Sequence, residues 1–280
     1  MKKLISSFFL ILVFSLHGHA QMNEYEQQCE FGITAGLAHY FGDLNNRGNL
    51  NRPKIALGAF VRKQFGNYSS VRLSAHYALL GYSDIYSDNS FQIRRNLSFN
   101  TNIFEIALQG DFNFFKFIPT DPSHSFTPYA TLGVGFFGYD PYAFYNNKKV
   151  YLRPLATEGE GFYKGRKSYG NIAMCFPIGF GLKYAINEKV NLSFEVTHRF
   201  TTTDYIDDVS TTYIGVDKFP SSSGGKSLAA IMQDRSAEIG APIGIEGRQR
   251  GFSKQKDQYI IAEFGVSFNI TSYRCPTVKP

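Results

Sequence analysis

The stretch Ile260-Ile261-Ala262-Glu263-Phe264-Gly265-Val266-Ser267-Phe268-Asn269 decides the fold. Ile260, Ala262, Phe264, Val266 and Phe268 fall on one side of an extended chain. Ile261, Glu263, Gly265, Ser267 and Asn269 fall on the other. Successive side chains of a strand point to opposite faces, so an apolar face repeating every second residue marks a strand between two unlike environments. Likewise Val190, Leu192, Phe194, Val196 and Phe200 oppose Asn191, Ser193, Glu195, Thr197 and Arg199. Phe104, Ile106, Leu108, Phe112 and Phe114 oppose Glu105, Ala107, Gln109, Asp111 and Asn113. The earliest segment sets Phe31, Ile33, Ala35 and Leu37 against Gly32, Thr34, Gly36 and Ala38. Weaker versions cover 54–65, 70–81, 128–137 and 172–185, which makes eight strands.

A soluble β-sandwich also alternates, with its apolar face inward. Two features select a membrane barrel instead. The apolar faces run for about 9–11 residues, enough to cross a bilayer at a tilt. The connections also alternate in length. Gly66-Asn67-Tyr68-Ser69, Asn187-Glu188-Lys189 and Pro119 to Phe126 are short, whereas Asp43–Arg52, Ser83–Asn96, Asp140–Gly170 and Asp204–Lys256 are long. Short periplasmic turns and long outer loops are the layout of transmembrane barrels. The expected fold is all-β: an eight-stranded antiparallel transmembrane β-barrel with long extracellular loops and a short periplasmic tail.

The start of the chain reads as an export signal. Lys2 and Lys3 precede an apolar run from Leu4 to Leu16, and Gly18 and Ala20 supply the small residues of a cleavage site. The run is too short to span a bilayer. Residues 1–20 are therefore expected to be a cleaved signal peptide, and 21–280 a single outer-membrane β-barrel domain. Gln27-Gln28 before Cys29 is not a lipobox, which argues against a lipid anchor. The composition, with 26 Gly, 27 Phe, 18 Tyr and no Trp, suits strands and tight turns. Removing Lys2 and Lys3 from the 29 Lys and Arg leaves an excess of four over the 23 Asp and Glu. That weak, dispersed charge excludes nucleic acid as a partner.

Inward parity collects Arg62, Arg72, Lys183 and Arg199 with Glu105, Asp111, Glu195 and Glu263. Side chains fill a barrel this narrow, and unpaired buried charge is costly, so a salt-bridged plug is expected rather than a selective pore. In the last outer loop, Ser221-Ser222-Ser223-Gly224-Gly225 reads as a hinge. Leu228, Ala229, Ile231, Met232 and Ile239 then suggest a short surface helix ending at Gly240.

Catalytic candidates are thin. His76, near Ser74 and facing Glu105 on the next strand, is the best single base, and its expected role is an interior polar cluster. Thr203-Asp204-Tyr205-Ile206-Asp207-Asp208 gathers carboxylates suited to calcium but lacks EF-hand spacing, so loop hydrogen bonding is expected. No catalytic residue, metal site or cofactor is assigned. Cys29 precedes the first strand and Cys275 follows the last, which places both at the periplasmic rim of the closing seam. Three outcomes stay open: a Cys29–Cys275 disulfide, a bond from one of them to a periplasmic partner, or two thiols. Cys175, on the inward face of the sixth strand, is expected to be a packed thiol.

Loop sequences carry a family resemblance. They are Gly36-Leu37-Ala38-His39-Tyr40-Phe41-Gly42-Asp43, Arg153-Pro154-Leu155-Ala156-Thr157-Glu158-Gly159-Glu160-Gly161, and Thr203-Asp204-Tyr205-Ile206-Asp207-Asp208-Val209-Ser210-Thr211-Thr212-Tyr213. Gln233-Asp234-Arg235-Ser236 and Arg250-Gly251 follow in the same order. Together they resemble the PorG family of outer-membrane proteins of the type IX secretion system, over essentially the whole mature chain. The resemblance implies a non-enzymatic barrel that anchors a periplasmic ring, built from a lipoprotein and its partner, to the outer membrane. Ring contacts are expected at Gln21–Glu30 and in the tail Thr271–Pro280, where Tyr273, Arg274 and Lys279 are the candidate docking residues. The other partner is outer-membrane lipid, and no small-molecule substrate is expected. The alternatives are a general structural or small-pore barrel and, ranked below it, a lipid-modifying outer-membrane enzyme.

Overall fold

The computed structural model describes residues 27–220 and 225–271. The proposed signal peptide, the Ser221–Gly224 part of the hinge, Cys275 and the docking residues Tyr273, Arg274 and Lys279 lie outside the described residues.

Eight long antiparallel strands close on themselves: β1 (Gln27–Phe41), β2 (Lys54–Phe65), β3 (Ser69–Ser83), β4 (Ser98–Asn113), β5 (Phe126–Gly138), β8 (Ile172–Ala185), β9 (Val190–Thr201) and β10 (Gln258–Thr271). The closing seam joins β1 to β10, with Ile33 opposite Val266 and Leu37 opposite Ala262. Closure leaves no open edge among the eight, which lipid requires because it cannot hydrogen-bond exposed backbone groups. One lapse occurs in the β5–β8 ladder, between the Leu132–Ile178 and Gly135–Cys175 pairs. Pro177 sits there and has no N–H to offer.

The alternation is inside-out relative to a soluble protein. On β10, Phe264 is 70% exposed while its neighbour Glu263 is 2% exposed. Ile33, Leu57, Leu73, Ile106, Leu132, Phe180 and Leu192 are likewise exposed, whereas Arg72 beside Leu73 and Glu105 beside Ile106 face inward and are buried. An apolar outer belt around a polar interior is the arrangement of a transmembrane barrel and rules out the sandwich. Close approach inside demands glycine at some positions. A Cβ at Gly32 would come within 2.6 Å of the Phe60 ring, and one at Gly181 would strike Tyr129.

The strands outrun the membrane. The 16 residues of β4 extend roughly 53 Å at about 3.3 Å per residue. Tilted at about 40°, they rise roughly 40 Å, beyond the ~25 Å apolar band. The surplus lies at the outer end, where the interior turns apolar. Ala38, Tyr40, Leu80, Tyr82, Phe99, Ile103, Phe137 and Ile261 pack there against Leu44, Leu97, Leu152, Ile206, Val209 and Met232 of the loops. Parity alone predicts a charge-filled lumen. The barrel instead carries a conventional hydrophobic core in its upper third, under a folded cap.

The cap has structure that alternation did not reveal. Two short strands, β6 (Tyr142–Tyr145) and β7 (Lys148–Tyr151), make a hairpin in the third outer loop. Its turn residues Asn146 and Asn147 both take positive φ, as a two-residue primed turn requires. Helix α1 (Ser90–Arg95) starts at Asn89, whose side chain accepts from the Phe91 N–H, and ends at left-handed Asn96. Helix α2 (Leu228–Gln233) is shorter than expected. Asp234 leaves helical geometry to accept from the Ser236 and Gly244 N–H groups, and a single 3-10 turn follows at Arg235–Glu238. Nor is α2 a mere surface helix, since Ala230, Met232 and Gln233 are buried.

Candidate functional site

The lower lumen is a network of ion pairs contributed by facing strands. Glu30 on β1 meets Arg62 on β2 at 2.9 Å and Lys183 on β8 at 3.4 Å. Arg62 also reaches Asp111 on β4 at 2.8 Å. Arg72 on β3 spans the barrel, lying 3.5 Å from Asp111 and 2.8 Å from Glu195 on β9. Hydroxyls complete the pattern: Tyr129 donates to Glu195 at 2.6 Å and Ser267 to Glu30 at 2.5 Å. All of these charged groups are almost completely buried. Each charge therefore depends on its partner, because a lone buried ion is expensive.

A second layer lies above. His76 places Nδ1 3.4 Å from Glu105 and Nε2 3.2 Å from Glu263. Arg199 lies 3.3 Å from Glu105, Tyr259 donates to Glu105 at 2.5 Å, and Thr34 donates to Glu263 at 2.8 Å. Ser74 donates its hydroxyl to Gln109 at 2.9 Å. The residues considered for catalysis are thus brought near one another but wired as an interior polar cluster. Every residue assigned to the lumen by parity lies there. Glu30 was missed because it precedes the first recognisable alternation, although its inward parity matches Gly32 and Thr34.

Above the apolar layer, the cap is held by buried carboxylates. Glu158 accepts from the Ser210 and Thr211 N–H groups, and Arg250 donates to Glu158 at 3.0 Å and to the Asp208 carbonyl at 2.6 Å. Arg95 clasps Asp84 through two bonds of 2.7 Å. Within the Thr203–Asp208 run, Asp204 accepts from Ser210, Asp207 from Tyr40, and Asp208 from Thr157 and Tyr169. These are the loop hydrogen bonds expected for the run. Tyr40 lies 2.6 Å from Asp207 and 2.9 Å from Asp257. A phenol has one proton to give, so both contacts hold together only when a carboxyl of the pair is protonated.

Electrostatics agrees with that geometry. Burial, then repulsion from the other carboxylates, holds Asp207 and Asp257 well above the ordinary carboxylate range. Burial lifts Asp43 and Asp208 to about 6, Asp204 to about 7 and Glu160 to about 8. Arg250 opposes the shift at Asp208 and Glu160 without cancelling it.

Cys29 is half-buried at the periplasmic end of β1 and pairs across the seam with Ile270. The seam expected beside it is therefore present. Cys175 is fully buried on the inward face of β8, as expected. His39 keeps outward parity on β1, yet the first outer loop covers it, with Asn45 3.1 Å from its Nε2.

Among solved structures, the chain resembles Neisserial surface protein A at 9% identity, covering 86% of this chain and 97% of that one, with a TM-score of 0.42. It resembles the N-terminal β-barrel domain of Pseudomonas aeruginosa OprF at 13% identity, covering 87% and 98%, with a TM-score of 0.36. For Pseudomonas aeruginosa OprG the identity is 11%, the coverage 87% and 97%, and the TM-score 0.37. No curated protein matches the chain. The family model of a domain of unknown function, DUF6089, matches residues 2–214, most of the chain, and the protein belongs to that family.

Proposed function

We propose that this protein is a non-enzymatic outer-membrane barrel that mounts the periplasmic ring of a type IX secretion system. The observation carrying the reading is the filled interior: among the described residues, an ion-paired lower lumen, an apolar upper core and a folded cap follow one another along the axis. A barrel that conducts nothing acts through its rims and its lipid belt. The loop sequences that resemble the PorG family add the ring as the partner. The periplasmic rim, where β1 begins and β10 ends, is the surface that faces it. The separate hydrogen bonds of His76 to Glu263 and of Ser74 to Gln109 support the absence of a catalytic role.

Gentle detergent purification with identification of co-purifying periplasmic proteins tests the proposal. The expected result is recovery of a lipoprotein and its partner. Recovery of the barrel alone, with secretion intact in a deletion strain, would count against it. Removing residues 271–280 is expected to release the ring while the barrel still inserts. Unchanged lipid A profiles in both a His76→Ala strain and a complete deletion would dispose of the lipid-modifying alternative.

A further inference from the structure

A cleft of about 270 Å³ opens at the outer rim between the upper ends of β8 and β9. It is lined by Tyr139, Tyr169, Tyr205, Thr203, Asp204 and Lys256, among others. The three tyrosine rings form a near-parallel stack. Tyr169 sits 6.3 Å from Tyr139 and 4.4 Å from Tyr205, with interplanar angles of 5° and 7°. Tyr205 ends the stack, and Tyr169 is the one ring recorded against it among the described residues. The Asp204 side chain is 2% exposed; Oδ2 accepts from Ser210 at 2.6 Å, while Oδ1 is buried with no hydrogen-bond partner. Lys256 is exposed at the cleft, close enough to Asp204 to oppose the lift that burial gives that carboxyl. The hydrogen bonds of the cap use Asp204 Oδ2 and the Tyr169 hydroxyl and leave Asp204 Oδ1 unpaired.

We propose that this cleft is a binding site for one neutral pyranose unit, carried by a glycolipid headgroup of the outer leaflet or by a soluble glycan. The volume sits at the small end of ligand sites and suits a single ring. An aromatic stack offers an electron-rich face to the C–H groups of a sugar. Asp204 Oδ1 is an acceptor that a sugar hydroxyl would satisfy, and the Lys256 ammonium is a donor to a second hydroxyl or ring oxygen. A cation meets the exposed Lys256 ammonium, whereas a polyol uses both that donor and the Asp204 carboxyl. The site lies at the outer rim, on the face of the molecule opposite the proposed ring, so it stands or falls independently of that role.

Saturation-transfer NMR on the full-length protein in detergent, with the methyl glycosides of glucose, galactose and N-acetylglucosamine, tests the soluble arm. Nanodiscs prepared with and without a neutral glycolipid test the membrane arm, read as glycolipid retained after exchange into plain lipid. At least one arm is expected to give a saturable signal. Tyr205→Ala should weaken it at least about tenfold and Lys256→Ala severalfold, with Phe144→Ala on the β6–β7 hairpin unchanged. Heat-modifiable gel mobility confirms that each variant is folded, and the exposed Lys256 keeps the test open should Tyr205→Ala not fold. No saturable signal in either arm would overturn the proposal. So would a signal that survives both Tyr205→Ala and Lys256→Ala, or one displaced by tetramethylammonium as effectively as by sugar.

Discussion

At the scale of single residues, the molecule depends on pairing buried charge. Arg62 serves two carboxylates, Glu30 and Asp111, and all three are buried. Arg62→Ala would leave both carboxylates uncompensated and is expected to cost about 3–5 kcal/mol, read as a lower urea midpoint for the barrel refolded in vesicles. Arg153, whose 3.2 Å contact to Asp140 is solvent-exposed on both sides, makes the contrasting case. Its alanine variant should lose under about 1 kcal/mol. Equal losses at the two sites would contradict the argument. Tyr40 is the other exacting position, because its single proton is placed between Asp207 and Asp257. Tyr40→Phe is expected to destabilise the cap by about 1–3 kcal/mol, seen as faster protease nicking near residues 204–212 with the barrel intact.

At the scale of elements, two consequences follow from which environment each segment meets. Neighbours on β10 face different solvents, so Phe264→Arg puts a charge into lipid at an outward position and should cost about 2–4 kcal/mol near the bilayer midplane. Impaired insertion into vesicles would report it. The outer loops meet water but bury their carboxylates, and the sign of their pH response follows. Carboxyls whose folded pKa is raised hold more protons in the closed cap than in the open one. Their contribution is fully present below the ordinary carboxylate range near 4 and is lost as pH rises through about 6 to 8. Hydrogen exchange at residues 204–212, corrected for intrinsic rates, is expected to show a looser cap at pH 8 than at pH 5. A tighter cap at pH 8 would contradict this assignment.

At the scale of the whole molecule, the barrel is stoppered three times over: by ion pairs, by an apolar layer and by the cap. Planar-bilayer recordings are therefore expected to show no steady single-channel conductance. A steady channel would mean that the interior opens in the membrane, and it would shift the functional weight from the rims back to the lumen. The two layers of the interior also divide the structural work. The lower layer sits within the membrane, where cross-barrel ion pairs fix side-chain positions. The upper layer projects beyond it and buries apolar side chains as a water-soluble protein does.

The strands, their parity and the lumen charges were legible in the sequence, because a strand between lipid and a packed polar interior must alternate residue by residue. Phe264 against Glu263 and Ile106 against Glu105 carry that information locally. Local patterning stops where the environment does. Ile103 and Ile261 lie on the inward face, yet they are apolar, because above the membrane the interior packs against Leu44, Ile206 and Met232 of distant loops. No periodicity along one strand announces such a partner. The pairing of Arg72 with Glu195, of His76 with Glu263 and of Tyr40 with Asp257 joins residues more than a hundred positions apart. Only closure of the barrel and folding of the last outer loop over its mouth bring them together. The sequence by itself therefore determined the barrel and which side chains point inward. Tertiary structure decided which of them meet, that the mouth is capped, and that a tyrosine-lined cleft opens beside it, since each depends on contacts made across the closed sheet and not along the chain.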